Sequence, residues 1–384
     1  MTSTSETLDT STAYPIEVID PHHHFIDTSS NPTFQSFLKS AVANGNDILS
    51  TPEDYHHHVI EPLQTLGIKF VGSVHVEAMP DDGAEEVRWV ESMCNGTTAT
   101  AITNDIGEGG SSLSSSSSLK HGGSRCSYVK AYVASCDLTQ PNVEEQLRKI
   151  MTASNNKLRG IRWILDCVGP YENGDTATHV GTLRHDGVDY LKSPQFERGL
   201  SLLEQQQNLS FDLQCAPIQL VESACALFAK YPKLKVCLDH MGNPRKVLGD
   251  DLLEDGIAVN PNVVPNSEEL QQWRRGMKAM SQLPNVYVKL SMMGYAIPGW
   301  KRTLPRKSLL KSLVREVVSM FGAERCMVAW NWHVNHAISD GDGNSNVGPN
   351  AVELLEYFCW CFEGYGEWER ERLFAGTAKE FYRL

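Results

Sequence analysis

No run of about 18 apolar residues occurs in the chain, so no segment is long enough to cross a bilayer as a helix. No CxxC pair occurs among the ten cysteines. They are scattered in apolar runs such as Val236-Cys237-Leu238, a pattern expected of buried, reduced thiols in a cytosolic protein. Basic residues are in deficit, with 34 Lys and Arg against 47 Asp and Glu and a formal net charge of −13. A net acidic surface repels phosphate backbones, which argues against nucleic acid and anionic membranes as partners. A small anionic organic substrate stays open, because a pocket can differ in sign from the surface around it. Met1 to Tyr14 has neither a basic stretch nor an apolar core nor an arginine, so it is expected to be a disordered tail (residues 1–15) rather than a leader. A cytoplasmic protein is therefore expected, and homo-oligomerisation is left open. Nothing resembling GxGxxG follows the first strand-like run, which speaks against a dinucleotide-binding open sheet.

What is present is 41% hydrophobic and 21% charged residues, enough for a sizeable core. Short runs rich in Val, Ile, Leu and aromatics recur at Ile16–His22, Lys69–Glu77, Tyr128–Val133, Gly160–Asp166, Ser210–Gln214, Lys235–His240, Val286–Ser291 and Cys326–Asn331. Helical patterns lie between them, as in Gly83–Cys94, Val143–Ala153 and Lys307–Phe321. Eight strands alternating with helices predict parallel βαβ units closed into a (β/α)8 TIM barrel. The barrel is expected to fill residues 16–384 as one domain. Long strand-to-helix loops would form its rim, and Tyr171, Arg184, His185 and Tyr295 on them would select the substrate. Residues 95–124 contain the serine run Ser114 to Ser118. They read as a flexible Ser/Gly-rich insertion that cannot bury enough apolar area to order itself. It precedes a strand, so it belongs to the face away from a barrel's active site.

The first strand ends Asp20-Pro21-His22-His23-His24. Residues two apart share a strand face, so His22 and His24 point together into the barrel mouth. Two imidazoles there can hold a metal or divide acid and base roles. His240 ends strand six just before a Gly-Asn-Pro turn. In strand two, alternation places Val74 and Val76 on the helix-covered side and His75 and Glu77 inside, with Glu77 either a base or an ion-pair partner. Lys130, Arg162 and Lys289 alternate with apolar neighbours in strands three, four and seven, and all three are expected to point inward. A buried cation needs a partner. Either Glu77, Asp166 and Asp212 neutralise these cations, or a substrate carboxylate does, with Arg162 the best placed because its fork is bidentate.

Together these residues resemble the amidohydrolase-related (amidohydrolase 2) family of the metal-dependent hydrolase superfamily. The opening Asp20-Pro21-His22-His23-His24-Phe25 resembles its D-x-H-x-H start. Val74–Ala78, Arg159–Arg162, Phe211–Gln214, Leu238–Gly242, Pro284–Ser291 and Leu373–Ala378 resemble its later strand ends. The likeness runs from Ile16 to Leu384 and is nearest in style to the lactonase branch. It implies a TIM barrel and hydrolysis of a C–O or C–N bond, with one branch that decarboxylates aromatic acids. Two departures matter. Gln214 stands where metal-using members carry a strand-five histidine, and Asn331 where they carry a strand-eight aspartate. The expectation is thus a hydrolase, without a cofactor, opening a small carboxylated lactone or related cyclic ester. His22 and His24 would polarise the carbonyl and His240 would manage the proton, with Glu77 and His333 as later candidates. Asn331 would orient water, and Arg162, Lys130, Lys289 and Gln214 would contact substrate. The alternatives are a metal-dependent decarboxylase, with a divalent ion such as zinc on His22 and His24, or a barrel that binds a ligand without turnover.

Overall fold

The computed structural model describes residues 14–30, 32–42, 47–95, 126–167, 187–205, 209–244, 267–297, 299–332, 334 and 348–384. The tail up to residue 13, residues 96–125 of the serine-rich stretch, and Tyr171, Arg184, His185 and His333 lie outside them. Eight strands form one sheet: β1 (Glu17–His23), β2 (Lys69–Val76), β3 (Val129–Ser135), β4 (Leu158–Ile164), β5 (Ser210–Gln214), β6 (Val236–Leu238), β7 (Val286–Leu290) and β8 (Cys326–Val328). They pair in sequence order and all in parallel, with helices between them, as a (β/α)8 barrel requires. No disulfide links the ten cysteines, nine of which are buried. Among the described residues no helix is long and apolar enough to cross a membrane.

The outer helices follow from their patterning. Val143–Ala153 buries Val143, Leu147 and Ile150, a stripe at helical spacing, and carries Glu144 and Glu145 in its first turn, where negative charge meets the positive end of the helix dipole. Ala351–Cys361 starts from a reciprocal cap: the Asn350 side chain accepts from the Glu353 amide at 2.9 Å, and Glu353 accepts from the Asn350 amide at 3.0 Å. Gly83 opens its helix directly against the Ser135 carbonyl, where a Cβ would collide.

The barrel interior is apolar at its floor. Ile19, Val74, Val76, Ala131, Val133, Cys237 and Met327 cluster with Ala378, Phe381 and Tyr382. The C-terminal helix Thr377–Tyr382 thus plugs the end opposite the strand C-termini. This corrects two expectations. Val74 and Val76 face the interior, because the plug supplies the apolar partner that made a helix-covered position look necessary. His75 faces the helix layer, between Phe25 (ring centroids 5.5 Å) and Tyr132 (6.0 Å). Lys130 is exposed beside the start of β3, where the β2–β3 register shifts between Ser73 and Val74. It does not reach the mouth.

The sheet closes between β1 and β8 without a regular ladder. His23 bridges Trp332, and the His24 amide donates to the Trp332 carbonyl at 2.7 Å. Lower down, a side chain replaces the ladder. Asp20 Oδ1 accepts from the Trp330 amide at 3.1 Å and the His22 amide at 3.0 Å, and Oδ2 accepts from the Tyr55 hydroxyl at 2.8 Å. Burial pushes the Asp20 carboxyl up to about 7, with these hydrogen bonds opposing it.

Candidate active site

β1 carries a register irregularity between Asp20 and His23, at the position of Pro21, which has no amide to give to a ladder. Ile19 faces the interior below the irregularity, and His22 and His24 face it above. The two Nε2 atoms lie 3.1 Å apart. His24 Nδ1 meets the Val76 carbonyl at 2.8 Å. A carbonyl only accepts, and the 2.8 Å contact is the shorter of the two that His24 makes to an amide oxygen, so neutral His24 carries its proton on Nδ1 and leaves Nε2 bare. Burial, reinforced by Arg162, lowers the His24 pKa well below the usual histidine value. Burial and Lys289 do the same for His22.

Both inward cations are bound by the protein itself. Arg162 gives Nε to Glu77 Oε1 at 2.6 Å and NH2 to the Glu77 carbonyl at 3.0 Å, while NH1 lies 3.3 Å from Asp239 Oδ2 and 3.2 Å from His22 Nε2. Lys289 Nζ lies 2.5 Å from Asp212 Oδ2, 3.1 Å from Asp239 Oδ1 and 3.2 Å from His22 Nδ1. Arg162, expected with Lys130 to hold a substrate carboxylate, and Lys289 are both faced by the protein's own groups. Glu77 and Asp212 neutralise them as the first of the two readings had it, and Asp239 joins them. Burial alone would raise the Asp239 pKa, but Lys289 holds it well below the carboxylate range. Glu77 also accepts from the Met79 amide at 2.7 Å, so its two oxygens are both engaged and it makes a poor base.

His240 reaches the site through strained backbone. His240, Met241 and Asn243 have φ of 55°, 55° and 56°, with Gly242 at 68° between them. Met79, Met292 and Asn331, beyond the ends of β2, β7 and β8, are also left-handed, with φ of 54°, 53° and 49°. Each such residue costs on the order of 1–3 kcal/mol, and such strain collects where a side chain must be aimed. Here it aims His240 at Ser291 Oγ, 2.9 Å from Nδ1, with its ring centroid 5.1 Å from that of His22 and 5.8 Å from that of Tyr295. Asn331 Oδ1 stands 3.1 Å from His24 Nε2.

The mouth therefore gathers His22, His24, His240, Glu77, Arg162, Lys289 and Asn331. Gln214 is buried at the end of β5. Asp239 and Ser291 complete the group without having been singled out as site residues. A strand-end Asp-His pair is the sequence signal that pointed to the first, and nothing local pointed to the second. A cavity of about 640 Å3 beside Tyr287, Arg325 and Trp368 shares none of these residues.

A divalent ion on His22 and His24 would take the bare nitrogens of both rings and a third ligand, as catalytic zinc does. The group within reach is the neutral amide of Asn331, 3.1 Å from His24 Nε2. A guanidinium nitrogen sits 3.2 Å from one His22 nitrogen and an ammonium 3.2 Å from the other. His22, Asp239 and His240 also lie close together, yet the Asp239 oxygens face Arg162 and Lys289. With a cation against each His22 nitrogen, His22 and His24 as placed do not offer an ion both rings, while His22, Asp239 and His240 stay within ligand reach of one another.

Comparison with known proteins agrees with this architecture. A protein of Sinorhizobium fredii, y4mH, described as uncharacterized, is 23% identical over 376 residues, covering 96% of this chain and 99% of its own. An amidohydrolase from Burkholderia multivorans with bound zinc has a TM-score of 0.63 at 18% identity, over 96% of this chain and 99% of that one. A Pseudomonas putida protein provisionally named 2-pyrone-4,6-dicarboxylic acid hydrolase has a TM-score of 0.56 at 14% identity, over 96% and 98%. With the amidohydrolase family model matching residues 19–384, nearly the whole barrel, the chain belongs to the amidohydrolase family.

Proposed function

We propose that the protein is an enzyme that hydrolyses small lactones or related cyclic esters without a resident metal. The observation that carries this reading is the convergence of His22, His24 and His240 beside Arg162, with a cation against each His22 nitrogen. Water adds to the ring carbonyl carbon. His24 Nε2, held bare by the Val76 carbonyl, accepts a hydrogen bond from that water and orients it together with Asn331. His240 takes the water proton. Its partner Ser291 can donate or accept, so it suits both protonation states. His22 and Arg162 stabilise the oxyanion. The ring C–O bond then breaks, and His240 returns the proton to the departing alkoxide, leaving a hydroxy acid.

A carboxylate on the substrate is not part of this proposal, because Arg162 and Lys289 are bound internally. The neutral Asn331 favours a second reading, a barrel that binds such a ligand without turning it over. Assaying a panel of lactones and esters with purified protein, with and without chelator, separates the two. The expected result is hydrolysis of at least one lactone at a rate that chelator does not change. Loss of the rate in chelator would overturn the metal-free mechanism, and binding without hydrolysis would favour the second reading.

A further inference from the structure

Tyr382, two residues from the C-terminus, sends its hydroxyl up the barrel axis to Asp212 Oδ2 at 2.7 Å. The same oxygen accepts from Lys289, whose ammonium also stands 5.5 Å over the Tyr382 ring. All three side chains are fully buried. They form a column from the floor plug, through β5 and β7, to the underside of His22. We propose that Tyr382 and Asp212 are positioning residues that hold Lys289 against His22 Nδ1, fixing His22 in the tautomer that carries its proton on Nε2, toward His24 and the reacting carbonyl. This inference deepens the lactone-hydrolase reading and rests on it for its kinetic consequences only.

The hydrogen-bond chemistry around Lys289 supports it. An ammonium has three donors and no acceptor, and its three polar neighbours are Asp212 Oδ2, Asp239 Oδ1 and His22 Nδ1. Burial disfavours the charge, but Asp212 and Asp239 outweigh it and raise the Lys289 pKa. A charged Lys289 facing Nδ1 requires a bare nitrogen there. The proton of neutral His22 then sits on Nε2, 3.1 Å from the bare Nε2 of His24, a contact that the substrate carbonyl and the attacking water replace when they bind. Two groups pull the other way: Asp239 Oδ1, 3.5 Å from Nδ1, and Arg162 NH1, 3.2 Å from Nε2. The first is farther from Nδ1 than Lys289 is, and Arg162 NH1 gives one of its two hydrogens to Asp239 Oδ2 and can turn the other to the substrate oxyanion. The column therefore decides the tautomer. It converts His22 from a passive acceptor into the N–H donor that an oxyanion needs.

Histidine-selective 15N labelling of the full chain, read by imidazole NMR, tests this without requiring turnover. The His22 signals are assigned by their loss in His22→Gln. The expected wild-type spectrum shows His22 protonated at Nε2 and bare at Nδ1. Tyr382→Phe keeps the ring and removes the donor. It should shift the His22 signals toward a mixture of tautomers and lower kcat on the best lactone about fivefold, with KM within about twofold. Variants of Lys289 leave two buried carboxylates without a counter-charge, so the measurement uses Tyr382 instead. A wild-type His22 proton on Nδ1, or a Tyr382→Phe protein with unchanged His22 signals, would overturn the proposal. A lactone panel with no turnover beside an Nε2-protonated His22 would count against the reaction and leave the column standing.

Discussion

Arg162 and Glu77 hold each other along two edges: the guanidinium Nε meets the Glu77 carboxylate at 2.6 Å, and its NH2 meets the Glu77 carbonyl at 3.0 Å. The side chain and the backbone at the end of β2 are thereby tied to β4. Removing one partner of a buried pair leaves an uncompensated charge and costs about 3–5 kcal/mol. Glu77→Gln should lose stability of that order in chemical denaturation while the folded fraction keeps kcat within about tenfold. A loss of a thousandfold or more in kcat at normal stability would make Glu77 the base and refute its role as a clamp.

His240 is the proton carrier of the proposed reaction. His240→Asn should lower kcat by about 10²–10⁴-fold with little change in KM, the range of general acid–base catalysis. Ser291→Ala removes only the orienting hydroxyl and should cost about tenfold. Steady-state kinetics on the same lactone measures both, and a larger effect at Ser291 than at His240 would reverse their roles.

Asn331→Asp sets a carboxylate where Asn331 Oδ1 stands, 3.1 Å from the bare His24 Nε2. Packing should hardly change, since the two side chains are nearly isosteric. The new negative charge favours protonated His24 and raises its pKa, removing the acceptor that orients water. Activity should therefore fall at least about tenfold near pH 7. A gain in activity, or stoichiometric zinc bound by the variant, would show instead a site that lacks only its acid.

His75 lies buried between Phe25 and Tyr132 with neither ring nitrogen hydrogen-bonded. Burial, then Arg162, lowers its pKa to about 3, against about 6.5 in the unfolded chain. Between those pH values the unfolded chain binds more protons, so stability is complete above about 6.5 and is lost as the pH falls toward 3. The loss from this residue alone is on the order of 5 kcal/mol at the acid end. His75→Phe should flatten the acid limb of the melting temperature against pH and leave the wild type no more stable at pH 7. An unchanged acid limb would place the sensitivity elsewhere.

The barrel was legible because its strands are short apolar runs that end in polar residues. Ser210–Gln214 and Val143–Ala153 are observed with the bounds their patterns give. The run expected to reach His240 stops as a strand at Leu238, because His240 and Met241 turn left-handed, which composition does not reveal. The His22 and His24 pair was legible from its spacing. Which side of β2 faces inward was not. That depends on an apolar plug contributed more than 290 residues later, by Ala375 to Tyr382. The partners of Arg162 were only half legible: Glu77 is 85 residues away and Asp239 is 77 residues away in the chain, and only closure of the sheet makes them neighbours.

The seam has a consequence for the order of events during folding. Asp20 takes the Trp330 amide across 310 residues, and His24 meets Asn331 across 307. Contacts of such sequence separation form late, after the loops they enclose have been closed. A chain emerging from the ribosome carries His22 and His24 from the outset but lacks the strand that completes their surroundings until nearly all of it has been made. A growing chain therefore lacks the assembled site until its last strand and the plug that follows it have been made.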